Sequence, residues 1–354
     1  MSAPTPEAQI KFLSCLQRLL AEGQFVATYK FALLVALADI SVEDGDDSGN
    51  PLVVETTKIA EKFIRAYWRH AMPYVPKGQD IAEGMVLMQN TGRQAELISM
   101  IATAGATTQH SLAAMTRRRK EWDQLVRTAD RIVRNMPLWK LQTVGRQPMN
   151  FLYDNIGTGT SITLKPGVVF CFRKFYDLIT DLVRGAWLRY IRRENVGVLG
   201  ETTDLHEFLF GSERVLLNLL QPMLRDVQSG RCFYCRKELA PRPSQVDHFV
   251  PWTRYPVDLG HNFVLAHDGC NSAKSDRLAA AEHLDAWVER NRLFGKQMSE
   301  EFERVKMAYG LSSSVQIARW AYSQTYSVKG LTWVRGNDLV PLPDGWDSLL
   351  KLSI

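Results

Sequence analysis

The chain has 354 residues, of which 45% are hydrophobic and 23% charged, a composition typical of globular proteins with about two or three domains. Its formal net charge of +5 is compatible with a nucleic-acid partner but does not require one. The small number of cysteines excludes a disulfide scaffold, and no apolar run reaches the roughly 20 residues that a membrane helix needs. Because a signal-peptide pattern is also missing, we expect a cytoplasmic protein without a membrane partner.

The first 140 residues predict a helical domain. Thr5 can cap a helix whose first turn contains Pro6, and apolar residues recur at helical spacing after it. The same periodicity predicts further helices at residues 28–40, 53–72, 93–104 and 108–135. The last of these helices contains the basic run 117–120, which is either a solvated face or a contact for DNA.

Residues 141–200 predict a small α+β segment. Apolar and β-branched runs at 151–153, 161–164 and 168–172 are typical of short strands, and a helix with basic ends is expected at 173–193. Strands followed by a basic helix could form a winged DNA-reading unit. A scaffolding role is the simpler interpretation.

Two pairs of metal-binding residues follow a lead-in helix predicted at 205–228. Cys232 and Cys235 form a C-x-x-C pair, and His267 and Cys270 form an H-x-x-C pair. Each pair directs two ligands toward one point, and four such ligands suit a tetrahedral zinc ion. Because protein would fill all four coordination positions, the sequence predicts a structural zinc site.

The residues between and after these pairs predict two strands and a helix. Residues 245–250 and 263–265 have the apolar or alternating character of short strands, and helical periodicity begins at Asn271. Asp247 and His248 lie on the first strand, while Asn271 lies at the helix start. The predicted fold of this segment is therefore a small ββα unit.

This combination resembles the HNH family of ββα-metal endonucleases, in the form that carries a zinc knuckle. The resemblance covers about residues 230–280 and depends on the following residues: Cys232, Cys235, Asp247, His248, Asn262, His267, Cys270, Asn271 and Lys274. It implies hydrolysis of nucleic-acid phosphodiester bonds with one divalent ion, usually magnesium or manganese.

The residue types suit that chemistry. A neutral imidazole can take a proton from water near physiological pH, which suits His248, and Asp247 and Asn271 supply hard oxygen ligands for magnesium or manganese. Neighbouring side chains of a regular strand point to opposite faces, so a twist or bulge is expected at Asp247 and His248. The resemblance further implies that Asn262 holds the loop and orients His248, and that Lys274 contacts the phosphate.

Two positions depart from the commonest pattern of the family. His267 stands where most relatives have cysteine, and Asn271 stands where the family name requires histidine. His267 could therefore bind the catalytic ion instead of zinc. Without His267 the structural site would keep only three protein ligands, which favours zinc.

The expected fold class is mainly α with small β elements. Its regions are a helical domain at 1–140, the α+β segment at 141–200, an HNH nuclease domain at 205–295, and C-terminal helices with a hairpin at 296–354. Helices are predicted at 278–293, 298–309 and 313–324. The hairpin is predicted at 332–340, where it turns at Gly336.

The expected function is a metal-dependent endonuclease that nicks or cuts DNA, and the helical flanks fit a restriction or anti-phage defence effector. RNA is also an open substrate, because hydrolysis with one metal ion needs no 2′-hydroxyl. The alternative is a zinc-stabilised module that binds nucleic acid or a partner protein without catalysis. The flanks could also mediate a homo-oligomer or respond to an activating partner.

Overall fold

The computed structural model describes residues 2–23, 25–75, 84–145, 147–155, 159–196, 198–199, 205–211, 217–240, 242–305 and 307–351. These residues are mainly helical with small two-stranded sheets, which confirms the mainly α class. The chain divides into two compact units, Met1–Gly211 and Ser212–Ile354, called unit 1 and unit 2 below. None of the described helices has the length and apolar character needed to cross a bilayer.

Unit 1 consists mainly of helices. They are α1 (Pro6–Glu22), α2 (Tyr29–Asp44), α3 (Thr56–Trp68), α4 (Glu96–Ala106), α5 (Leu112–Arg117), α6 (Arg119–Asn135), α7 (Pro137–Lys140), α8 (Val168–Lys174), α9 (Tyr176–Glu194) and α10 (Leu205–Phe210). The antiparallel strand pairs are β1 (Leu52–Glu55) with β6 (Ser161–Leu164), β2 (Pro73–Tyr74) with β3 (Met85–Val86), and β4 (Thr143–Val144) with β5 (Gln147–Pro148).

Helix α2 is the centre of unit 1. Its residues are buried on almost every side, as its uniformly apolar sequence predicts, and α3, α8 and α9 pack around it. Arg173 of α8 is only 1% exposed and donates from Nη1 to the carbonyls of Val42 and Gly45, each at 3.0 Å. Its Nε also lies 2.7 Å from Asp47 Oδ1. A buried cation therefore caps the negative end of the central helix.

Residues 168–172 form helix α8 and not the predicted strand. Gly167, with a φ of 81°, precedes the helix, and Val168, Val169 and Phe172 are buried in the core of unit 1. Packing of this run against α2 outweighs the strand propensity of its β-branched and aromatic residues. The strand at 168–172, one of those on which the winged DNA-reading interpretation was based, is therefore wrong.

The strand predicted at 161–164 is confirmed, but its partner is distant in sequence. It pairs with β1, so that Leu52 lies opposite Leu164. Because β1 occupies the beginning of the helix predicted at 53–72, that helix starts only at Thr56. This long-range pairing joins the first two predicted regions within unit 1.

The helix predicted at 108–135 is divided into α5 and α6 at Arg118. Gln109 and His110 adopt left-handed φ values of 53° and 59°, so the first helix cannot begin before them. Ser111 caps α5 by accepting a backbone N–H at 3.2 Å. The backbone conformation at these positions was not readable from the apolar periodicity.

Unit 2 contains four α-helices and two strand pairs among its described residues. The helices are α11 (Gln221–Val227), α12 (Asp268–Lys274), α13 (Ala281–Val305) and α14 (Leu311–Ser327). The antiparallel strand pairs are β7 (Ser244–His248) with β8 (Phe263–His267), and β9 (Leu331–Arg335) with β10 (Asp338–Pro341). The predicted succession of strand, strand and helix is thus present in β7, β8 and α12, and the C-terminal hairpin is confirmed.

Two predicted helix lengths in this part of the chain are wrong. Helix α13 is continuous where a break and a region boundary were expected near Gly295. A side chain at Gly295 would lie 3.2 Å from Leu311, so this glycine permits close packing and does not end a helix. The lead-in helix predicted at 205–228 is divided as well: α10 ends at Phe210, and α11 begins anew with Pro222 in its first turn.

Replacing Gly260 with alanine is expected to destabilise unit 2. A Cβ at this position would lie 2.6 Å from ring carbons of Phe302, which is fully buried, so overpacking should lower the free energy of unfolding by about 1–3 kcal/mol. Chemical denaturation measures this change. The control is Gly269→Ala, where no atom lies within 4 Å of the added Cβ, and equal stabilities of the two variants would contradict the prediction.

The stability of unit 1 is expected to fall in acid because of His70. Its ring is fully buried against Trp187 and Phe210. Burial lowers the pKa of His70 from 6.5 to about 3. Between these two pH values, His70 binds a proton more readily in the unfolded chain than in the folded one. The stabilisation is therefore complete above pH 6.5 and decreases toward pH 3 by up to about 1.4 kcal/mol per pH unit.

His70→Phe should flatten this acid dependence, because the phenyl ring fits among aromatic neighbours and binds no proton. The measurement is the free energy of unfolding as a function of pH through the acid range. His206→Phe, a change at an exposed histidine of the same unit, should leave the dependence intact. An equally steep acid dependence in His70→Phe would show that another group is responsible.

Candidate active site and metal centre

The turn from Cys232 to Cys235, called the knuckle below, is set by local backbone hydrogen bonds. The N–H of Cys232 donates to the carbonyl of Lys237 at 2.9 Å, and the N–H of Arg236 donates to the carbonyl of Cys232 at 3.0 Å. Arg236 adopts a left-handed φ of 60°, which reverses the chain directly after the second cysteine. Both thiols of the knuckle consequently lie in one cluster.

The four predicted zinc ligands come together in the structure. The ligand atoms of Cys232, Cys235, His267 and Cys270 all lie within 4.8 Å of one another. Tetrahedral zinc with bonds of about 2.3 Å separates its sulfur ligands by about 3.8 Å, so the donors fit a structural metal such as zinc. In the described part of the chain, this is the only group of three or more His, Cys, Asp or Glu residues that could hold a metal ion.

The ring of His267 is oriented toward the cysteines. Its Nδ1 lies 3.3 Å from the Sγ of Cys235, and its Nε2 lies 2.9 Å from the carbonyl oxygen of Glu238. Because a carbonyl can only accept, Nε2 carries the proton and the lone pair of Nδ1 faces the thiols. This geometry groups His267 with the structural cluster and separates it from the expected catalytic ion.

The thiols of the cluster affect one another electrostatically. Burial raises the pKa of Cys270 to about 12, and the neighbouring charges of Cys232 and Cys235 add to the effect. Burial also raises the pKa of Cys235, but hydrogen bonds from the Lys237 backbone and from the other ligands outweigh it, so that the pKa falls to about 7. The thiols are thus close enough to influence one another's ionisation, and a metal ion binds the thiolate form.

On the edge of β8 that faces away from β7, the backbone groups of Leu265 are already hydrogen-bonded. The carbonyl of Leu265 accepts from the N–H of Phe233 at 2.9 Å and from Nε2 of Gln228 at 2.8 Å, and the N–H of Leu265 donates to Oε1 of Gln228 at 2.8 Å. The amide of Gln228 thus takes the place of a neighbouring strand. The knuckle and the end of α11 are thereby fixed to β8.

The carboxylate of Asp247 joins the knuckle, β7 and α12. Its Oδ2 accepts from the hydroxyl of Tyr234 at 2.5 Å and lies 3.1 Å from Nζ of Lys274. Lys274 is fully buried and also donates to the carbonyl of His248 at 2.9 Å. Burial lowers the pKa of Lys274, and the charge of Asp247 opposes that shift. The ammonium predicted to contact a phosphate thus binds protein groups in this structure.

Strand β7 is regular up to its last residue. Asp247 lies opposite Val264 and His248 lies opposite Phe263, without a shift of register. Of the twist or bulge expected at this position, the bulge is therefore wrong. Because adjacent side chains of a regular strand point to opposite faces, Asp247 and His248 are directed away from each other.

Helix α12 lies along the face of β7 that carries Asp247. Asn271 donates from Nδ2 to Oε1 of Gln245 at 3.1 Å, while Lys274, one turn later, pairs with Asp247. Oδ1 of Asp247 and Oδ1 of Asn271 accept no hydrogen bond from a described residue, and neither is among the buried unpaired atoms. These two residues are the ones that the sequence predicts as oxygen ligands of a hard divalent cation.

His248 has a carboxylate partner on the opposite face. Its Nε2 lies 2.6 Å from Oδ1 of Asp258, and its ring meets the ring of Phe263 edge-on at 4.8 Å. Nδ1 forms no hydrogen bond to a described residue and is not buried. The sequence did not reveal Asp258, because nothing in its neighbourhood distinguishes it from other loop carboxylates.

Asn262 fixes the chain segment that follows His248. Its side-chain oxygen accepts from the N–H of Val250 at 2.8 Å, and its amide nitrogen donates to the carbonyl of Val250 at 2.9 Å. The backbone carbonyl of Asn262 also accepts from the N–H of Phe249 at 2.8 Å. The two ends of the connection between β7 and β8 are therefore held together beside His248.

Helix α13 holds the turn that carries Asn262. The carbonyl of His261 accepts from Nη2 of Arg290 at 2.7 Å, from Nε1 of Trp287 at 3.0 Å and from Nδ2 of Asn291 at 3.3 Å. Burial lowers the pKa of Arg290 to about 9. The hydrogen bond from this buried cation to the carbonyl of His261 helps to fix the turn to helix α13.

The chain matches no family model, no curated protein and no solved structure. The resemblance to the HNH family accordingly depends on the motif residues and on the local geometry of unit 2. Among the predicted catalytic residues, Lys274 pairs with Asp247 and donates to the backbone carbonyl of His248, whereas the side chains of His248, Asn262 and Asn271 contact other residues. The contacts are Asp247 with Tyr234 and Lys274, Asn271 with Gln245, His248 with Asp258, and Asn262 with Val250.

Replacing Cys232 with serine should release the bound metal and destabilise unit 2 by several kcal/mol, because a structural zinc ion contributes its binding energy to folding. Metal content by atomic emission and thermal unfolding of the purified chain measure both effects. Cys15→Ser, at a free cysteine of unit 1, should change neither. Full metal content with unaltered unfolding in Cys232→Ser would refute the assignment of Cys232 as a ligand.

Proposed function

We propose that unit 2 is a metal-dependent endonuclease that hydrolyses phosphodiester bonds of DNA. The observation that carries this proposal is the exposure and hydrogen bonding of the His248 side chain at the end of β7. Its side chain is 18% exposed, and one ring nitrogen is accessible without a hydrogen-bond partner among the described residues. Such an imidazole can act as a general base toward water, as hydrolysis requires.

The surroundings of His248 support the same chemistry. Asn262 restrains the backbone that follows it, so the position of the imidazole is restricted. On the opposite face of β7, Asp247 and Asn271 offer two oxygens to a magnesium or manganese ion, and the proposed hydrolysis requires that this ion and His248 act on the same phosphate. The exposed cations Arg231 and Lys237, which flank the knuckle in sequence, suit a polyanionic substrate.

A second candidate is a zinc-stabilised module that binds nucleic acid or a protein without cleaving it. It is favoured by the contacts of Asp247, whose Oδ2 is taken by Tyr234 and Lys274. A carboxylate neutralised by a buried ammonium can serve the fold alone. A role in restriction or phage defence, a homo-oligomer and an activating partner stay predictions from the helical flanks.

His248→Ala should abolish cleavage of supercoiled plasmid DNA in magnesium or manganese. Loss of a general base typically lowers the rate by about 10²–10⁴-fold. The assay follows conversion to nicked and linear plasmid, and zinc content should equal that of the wild type. His206→Ala, at an exposed histidine of unit 1, is the matched control and should cleave normally.

Two results would contradict the proposal. Wild-type protein that binds DNA but cleaves it with neither metal ion would favour the binding module. Cleavage of an RNA substrate in parallel reactions, without cleavage of DNA, would make the proposed substrate class wrong and leave the hydrolytic role of His248 intact.

A further inference from the structure

The contact between Asp258 and His248 determines which ring nitrogen can act as a base. Asp258 lies on the connection between β7 and β8, ten residues after His248 and with its side chain 19% exposed. Its Oδ1 is 2.6 Å from Nε2 of His248. In the described structure this is the only hydrogen bond or ion pair of Asp258, so the carboxylate caps no helix and closes no turn.

The chemistry of the pair fixes the position of the proton. An ionised carboxylate can only accept hydrogen bonds, so Nε2 of His248 must donate and must carry the ring proton. In the neutral imidazole the remaining lone pair is then on Nδ1. That nitrogen is the one that has no partner and is accessible. A second restraint on the ring is its edge-on contact with Phe263.

We propose that Asp258 is a positioning residue that holds His248 in the tautomer protonated on Nε2, with Nδ1 directed to the attacking water. This inference rests on the proposed nuclease function for its catalytic consequence. It has the logic of the carboxylate in Ser-His-Asp triads, which orients an imidazole and stabilises its protonated form. Asp258 itself touches no substrate in this scheme and takes no proton.

The hydrolytic step balances with these groups. Water gives one proton to Nδ1 of His248, and its oxygen forms a bond to phosphorus. The bond from phosphorus to the leaving 3′ oxygen breaks, and that oxygen takes a proton from solvent. The imidazolium is stabilised by the negative charge of Asp258 until it returns its proton to solvent.

The tautomer can be measured without any substrate. In the full chain labelled with ¹⁵N-histidine, the ring signals of His248, identified by their loss in His248→Ala, should report a single neutral tautomer with a slowly exchanging Nε2 proton. In Asp258→Ala both tautomers should be populated, and the ring proton should exchange rapidly with water. Asp285→Asn, which removes a carboxylate from the exposed face of α13, should leave the signals unchanged.

Kinetics test the catalytic consequence. Asp258→Asn retains the shape of the side chain and should lower kcat for plasmid nicking by about 10²-fold or more, with little change in KM, because positioning affects the proton-transfer step. The thermal midpoint should stay near that of the wild type. Asp285→Asn should cleave like the wild type.

The outcomes separate this inference from the nuclease proposal. Wild-type tautomer signals in Asp258→Ala, or full kcat in Asp258→Asn, overturn the role of Asp258 even if the wild type is an active nuclease. An altered tautomer in Asp258→Ala together with a wild type that cleaves no nucleic acid supports the control of the ring by Asp258 and overturns the nuclease function.

Discussion

The buried carboxylate of Asp247 is the constraint on which the arrangement of unit 2 depends. Removing a carboxylate and an ammonium from water costs several kcal/mol per ion, which attraction offsets only when the geometry and the remaining hydrogen bonds are good. Here Oδ2 of Asp247 accepts from Tyr234 and pairs with Lys274, and Lys274 also donates to the carbonyl of His248. One ion pair thus fixes the knuckle, the end of β7 and the end of α12 relative to one another. The backbone of the proposed base is held by the same cation.

The cysteine and histidine cluster connects the elements of unit 2 at the end of β8 and the beginning of α12. A pair of strands is marginally stable alone, and β7 and β8 are only five residues long each. The cluster joins the knuckle to His267, the last residue of β8, and to Cys270 in the first turn of α12. Helix α13 meanwhile holds the turn before β8 through the carbonyl of His261. Strand β8, which pairs with the strand that carries His248, is therefore held by the turn at its beginning and by the cluster at its end.

The sequence was most informative where local chemistry decides the structure. The spacing of the four ligands predicted their cluster, and apolar patterning located β7, β8 and the C-terminal hairpin. The predictions of a strand at 168–172 and of a break near Gly295 were wrong, because packing against distant elements decides the structure there. The bulge expected at Asp247 was inferred from the proposed chemistry and not from the residue pattern, and β7 is regular there. Asp258 lies ten residues from its partner His248 and is brought to it only by the folded connection. Contacts of this kind have no periodic signal in a single sequence.

The side chain of Gln228 also protects the protein against aggregation through strand pairing. An unpaired strand offers alternating donors and acceptors that can recruit a foreign strand and begin aggregation. At Leu265 both groups are already engaged by one glutamine amide, and the N–H of Phe233 occupies the same carbonyl. A foreign backbone could align there only by displacing three hydrogen bonds at once. Gln228, which lies outside the sheet, thus prevents a foreign strand from pairing with the middle of β8. The residues of β8 on both sides of Leu265, Val264 and Ala266, are apolar.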